Sequence, residues 1–152
     1  MSRRILFLLI AAFAWLSAYP AVITQKSVVN GVTVAVTAGN LGPEASVWDF
    51  AVVLRASRHK VLTDDIVKNA VLVDPQGRQY KALIWEGAAS DGEHLAGVLK
   101  FIAIAPRPDS VELRVIRPGE RKPRSFSWLL GSGMVALASR PDRIHSQDVE
   151  RD

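Results

Sequence analysis

The chain has 152 residues, 49% of them hydrophobic and 22% charged, a balance that suits one globular domain and excludes a disordered or collagenous chain. It contains no cysteine, which excludes disulfides, thiolate metal ligands, a cysteine nucleophile and a lipid-modified cysteine. Arg3 and Arg4 supply two of the four net positive charges, so the rest of the chain is nearly balanced and lacks the clustered basic field that marks a nucleic acid as partner.

Residues 1–4 are short and positive and residues 5–14 are an unbroken apolar run, the order of a secretory signal peptide. Residues 1–21 are therefore read as a hydrophobic leader helix, cut after Ala18 or Ala21, leaving a periplasmic or secreted protein. The alternative is an uncleaved anchor, because residues 5–23 carry no charge and about 20 apolar residues span a bilayer. Pro20 works against a regular helix there. An anchored chain would sit in the inner membrane with its domain outside the cytoplasm, since the leading arginines stay inside either way. Membrane contact is expected only if the leader is uncleaved.

After the leader the hydrophobic period becomes two. Val32, Val34 and Val36 alternate with Thr33, Ala35 and Thr37, behind a turn signal at Asn30 and Gly31. Trp48, Phe50, Val52 and Leu54 form a second apolar face, with Asp49 and Arg55 on the other. Residues 64–69 suit one helical turn capped by Thr63. A strand over 70–73, a type I turn over Asp74, Pro75, Gln76 and Gly77, and a returning strand over 78–85 follow. Strands over 98–104, 111–116 and 125–130 complete about seven. The expectation is an all-β, immunoglobulin-like antiparallel β-sandwich over residues 28–130, free of disulfides, followed by a flexible tail over 131–152. The dense basic run of Arg114, Arg117, Arg121, Lys122 and Arg124 is interrupted by Glu120 and broken by Pro118, Gly119 and Pro123, which reads as a solvated hairpin tip.

Chemistry is sparse. G-x-S-x-G, a P-loop and a dinucleotide glycine fingerprint are absent, and Gly131, Ser132 and Gly133 precede no helix. Asp64 and Asp65 are chain neighbours, which suits capping better than paired acid and base work. Histidine offers the remaining route. His59 follows the Trp48–Arg55 strand and His94 follows Trp85, while His145 falls in the tail. In loops at one end of a sandwich, His59 and His94 with Asp91 or Glu93 would make a copper or zinc site. The same loop, residues 86–93, is rich in glycine, alanine and acid and reads equally well as a recognition loop.

The motifs W-D-F-x-V-x-L (Trp48, Asp49, Phe50, Val52, Leu54), L-V-D-x-x-G (Leu72, Val73, Asp74, Gly77), W-x-G (Trp85, Gly87) and G-x-H-x-x-G-V-L-x-F (Gly92, His94, Gly97, Val98, Leu99, Phe101) resemble a group of exported bacterial immunoglobulin-like domains to which no function is attached. That resemblance implies the sandwich and draws attention to loop histidines. Two departures weaken an inherited metal site: Glu93 stands where the group carries a histidine, and His59 lies between Arg58 and Lys60, whose charge repels a cation. The leading expectation is a non-enzymatic binding or accessory module, contacting an envelope protein or small ligand through loops at one end of the sandwich. A periplasmic metal-binding protein and a small hydrolase are the alternatives.

Overall fold

The computed structural model describes residues 23–57, 62–63, 65–131 and 135–137. The leader over 1–21, His59, Asp64, Ser132, Gly133 and the tail from 138 onward lie outside the described residues. Strands β1 (Thr24–Val29), β2 (Val32–Ala38), β3 (Val47–Ala56), β7 (His94–Ile102) and β6 (Ile84–Gly87) form one sheet in the order β1-β2-β3-β7-β6. Strands β10 (Val135–Leu137), β9 (Arg124–Leu129), β8 (Ser110–Val115), β4 (Ala70–Val73) and β5 (Gln79–Lys81) form the second, in that order. Every pairing is antiparallel. The fold is the expected all-β antiparallel sandwich.

Alternation builds the core. Val32, Val34 and Val36 on β2, and Trp48, Phe50, Val52 and Leu54 on β3, turn inward and are buried. They meet Leu72, Leu113, Phe126 and Trp128 from the other sheet. Phe50 lies at the centre, 5.0 Å from the Trp128 ring and edge-on to Phe101 at 5.8 Å. The β1–β2 hairpin closes through Asn30 and Gly31, both with positive φ, which gives two-residue hairpins the twist their strands need.

Among the described residues, ten strands stand where the sequence pattern predicts about seven. β1 escapes the pattern because its buried inward residue is polar: Gln25 donates to the Ser127 carbonyl (2.9 Å) and accepts from the Ser127 N–H (3.3 Å), joining the two sheets. The single strand expected over 78–85 is two strands in different sheets, Tyr80 lying in one and Trp85 in the other, with the chain crossing at Ala82 and Leu83. A short strand, β10, pairs with β9 inside the stretch read as tail. The helical turn α1 (Ile66–Asn69) is capped by Asp65, whose Oδ1 accepts from the Lys68 N–H at 3.3 Å, in place of the expected Thr63. Among the described residues no helix is long and apolar enough to cross a membrane.

The basic run is the largest departure. Arg121 and Lys122 are exposed as expected of a hairpin tip, but Arg117 and Arg124 are buried. Arg124 points inward from the first position of β9. It donates to the carbonyls of Ser27 (3.0 Å), Val32 (2.8 Å) and Val29 (3.1 Å) around the β1–β2 hairpin, and it pairs with Glu120. Its chain position beside prolines and glycine hides this, because periodicity identifies inward positions within strands and not where a strand begins.

Candidate functional site

At one end of the first sheet, β3 finishes and β7 begins, and Arg55 lies directly opposite His94 in the ladder. Ala56 N–H donates to the Glu93 carbonyl at 2.8 Å. The loop between β6 and β7 is tied by its own side chains. Asp91 Oδ1 accepts from the backbone N–H groups of His94 (2.6 Å) and Glu93 (3.0 Å), and Ser90 Oγ accepts from the Gly92 N–H (3.0 Å). The His94 N–H, the Glu93 N–H and the nearby His94 ring together hold the Asp91 carboxyl below its ordinary value, against the opposing effect of partial burial. Short polar side chains that bond their own following backbone are what fix a loop of this composition.

Arg55, Ala56, Asp91, Glu93 and His94 line an open depression of about 440 Å³. Three of the four residues expected to hold a metal, Asp91, Glu93 and His94, do gather there. The fourth, His59, lies outside the described residues. Among the described residues no group of three or more metal-ligating side chains is placed to hold an ion. One Asp91 oxygen is committed to two backbone N–H groups, and the residue facing His94 is a cation. Arg55 is the wall that sequence reasoning missed. Its outward phase on β3 was legible, but its pairing with His94 required the register.

No family model and no curated protein matches this chain. Its structure is similar to the crystal structure of MPT63, a secreted protein from Mycobacterium tuberculosis, at 19% identity over 70% of this chain and 95% of that one, with a TM-score of 0.39.

The residues that carry the motif resemblance have roles in the fold. Asp49 accepts from the Asn40 N–H and closes the β2–β3 loop. Asp74, its side chain fully buried, accepts from Gln76 N–H (3.0 Å), Arg78 N–H (2.9 Å), Arg78 Nε (2.7 Å) and Tyr80 Oη (3.0 Å), fixing the β4–β5 turn. The Trp85 ring lies across the paired glycines Gly87 and Gly97; a Cβ on Gly97 would stand 2.6 Å from Trp85 Cζ2, and one on Gly87 would stand 2.9 Å from Cε2. Both glycines are needed for this close approach. These motifs therefore encode turns and packing in this chain.

Proposed function

We propose that this chain is an exported, non-enzymatic binding module of the cell envelope, meeting its partner at the loop end of the β1-β2-β3-β7-β6 sheet. One observation carries the reading. The Arg55 and Glu93 side chains and the His94 ring gather in a single depression without a side-chain hydrogen bond or ion pair among the described residues, the ring acting only through its attraction to Asp91. Side chains of both signs in an open depression suit a polar partner bearing both signs, a protein segment or a small zwitterionic ligand. Binding is favoured over turnover because the neighbouring Ser90 hydroxyl donates to the His94 backbone carbonyl (3.3 Å) and so is not poised on the ring as a nucleophile. Export rests on the arginine-then-apolar order of residues 1–21.

The test places a photoreactive amino acid at position 93 in the chain expressed with its own leader. A discrete adduct is expected in the envelope fraction, absent when the label is at Ser125 on the opposite sheet and lost on Arg55→Glu. Equal labelling from both positions would overturn the binding site, and retention of the chain in the cytoplasm would overturn export.

A further inference from the structure

We infer that Asn30 is a site of spontaneous covalent modification: its side chain closes on the Gly31 nitrogen and ends as aspartate or isoaspartate, and the isoaspartyl product unlatches the β1–β2 hairpin. The chemistry needs only water. The Gly31 amide nitrogen attacks Asn30 Cγ, so an N–Cγ bond forms, the Cγ–Nδ2 bond breaks, and ammonia leaves with the Gly31 proton. Water then opens the five-membered imide. Opening at Cγ yields aspartate. Opening at the backbone carbonyl carbon yields isoaspartate, with the main chain now running through Cβ.

The structure separates Asn30 from the other candidates, Asn40, Asn69 and the Asp91–Gly92 pair. Asn30 and Gly31 are both exposed at the hairpin tip, and among the described residues neither the Asn30 side chain nor the Gly31 N–H makes a hydrogen bond. Glycine places no Cβ in the path of attack. The left-handed backbone at Asn30 (φ 49°) turns the Gly31 nitrogen away from the side chain, so ring closure waits on a flexing of that exposed tip. Asn40 precedes the buried Leu41, and its Oδ1 accepts from the Gly42 N–H at 3.0 Å. Asn69 precedes Ala70, which is buried and paired with Val115 in the β4–β8 ladder. Closure at either would pull a core residue from its place. At Asp91, the Gly92 N–H donates to Ser90 Oγ (3.0 Å), and the lowered pKa keeps the carboxyl ionised, a poor target for attack.

Aspartate suits this turn as asparagine does. Isoaspartate instead adds an atom to the main chain of a two-residue loop whose paired positive φ angles match it to the strand twist. The carbonyls flanking the tip, Val29 (3.1 Å) and Val32 (2.8 Å), are held by Arg124, so a lengthened loop draws them off the guanidinium that joins the sheets. The Gly31 carbonyl also accepts from the Ser57 N–H (2.7 Å), and Thr33 lies opposite Arg55, so the change reaches the end of the sheet that carries the depression. The modification itself does not depend on the binding role proposed above.

The test holds the exported chain in mildly alkaline buffer for days, with samples mapped by mass spectrometry and isoaspartate measured by enzymatic methylation. The peptide carrying Asn30 is expected to lose its amide ahead of those carrying Asn40 and Asn69, isoaspartate should accumulate there and not at Asp91, and a lower-melting population should grow in step. Asn30→Gly makes a Gly-Gly turn that the hairpin tolerates, so its melting temperature should stay at its starting value. Amide loss no faster at Asn30 than at Asn40 or Asn69 would overturn the site. A melting temperature that falls equally in Asn30→Gly, or that holds in wild type after isoaspartate has formed, would overturn the unlatching. Freshly made Asn30→Asp should melt near wild type; melting as low as the aged population would assign the effect to charge and not to the lengthened backbone, and would likewise count against it.

Discussion

Arg124 and Glu120 form an ion pair inside the sandwich, their side chains only 2% and 7% exposed. Arg124 also holds three carbonyls of the β1–β2 hairpin, so one guanidinium joins the two sheets. Removing one partner of such a pair strands the other charge. Glu120→Ala is expected to destabilise the domain by about 3–5 kcal/mol. Urea unfolding would measure it, and a loss within error would mean that the pair does not hold the sheets.

The same pair makes stability depend on pH. The Arg124 hydrogen bond, helped by attraction to Arg124 and Arg117, holds the Glu120 carboxyl below its ordinary value, against the burial that pushes it up. A carboxylate with a depressed folded pKa adds stability above its unfolded pKa, about 4.3 for glutamate, and loses it as pH falls through the folded value. Wild type should therefore lose stability below about pH 4.3, and Glu120→Gln should lose less over the same range. Parallel acid curves for the two proteins would contradict this.

At Asp74, burial raises the carboxyl's pKa, but the hydrogen bonds from Arg78 and Tyr80 outweigh it and the net shift is downward. Asp74→Asn keeps the size but replaces one acceptor oxygen with a donor, facing Arg78 or Tyr80 with the wrong group. A lower Tm is expected, with a smaller drop in a Tyr80→Phe background, where one donor is already gone. Additive losses would show that the two residues act separately.

Trp85 reports on the Gly87 and Gly97 pair. Gly97→Ala places a Cβ 2.6 Å from both the Glu86 carbonyl oxygen and the Trp85 ring, so the β6 backbone and the indole must both give way, an overpacking that costs about 1–3 kcal/mol. Tryptophan emission should shift to the red in the folded variant as the ring moves toward water. An unchanged spectrum with unchanged stability would mean the ring has room to spare.

Calorimetric titration with Zn(II) or Cu(II) is expected to give no heat beyond dilution. Asp91 is engaged by backbone N–H groups, and the guanidinium facing His94 repels a second cation. Tight binding abolished by His59→Ala together with His94→Ala would reverse this expectation and restore the metal-binding reading.

Most of the sandwich was legible because the inward residues of β2, β3 and β9 are large, apolar and strictly alternating. Gln25 and Arg124 face inward as polar residues, so β1 and the start of β9 carried no such signal. The crossover at Ala82 and Leu83 was invisible for another reason: alternation states which face a residue takes but not which sheet its strand joins. The cluster of Asp91 and Glu93 in the loop with His94 at the start of β7 was found through its chemistry. Its neighbour Arg55 was not, since the two strands meet only through a register that no local pattern encodes.

The pairing of β3 with β7 has a consequence in time. α1, β4, β5 and β6 all lie between these partners in the chain, so the central ladder of the first sheet cannot zip until the segment through Ile102 has been made. A chain halted before His94 would offer only the β1-β2-β3 ribbon from that sheet, with Phe50 and Leu54 deprived of their partners on β7. Folds dominated by such distant contacts assemble over about milliseconds to seconds. That delay leaves the inward face of the β1-β2-β3 ribbon without its cover until the whole of β7 has been made.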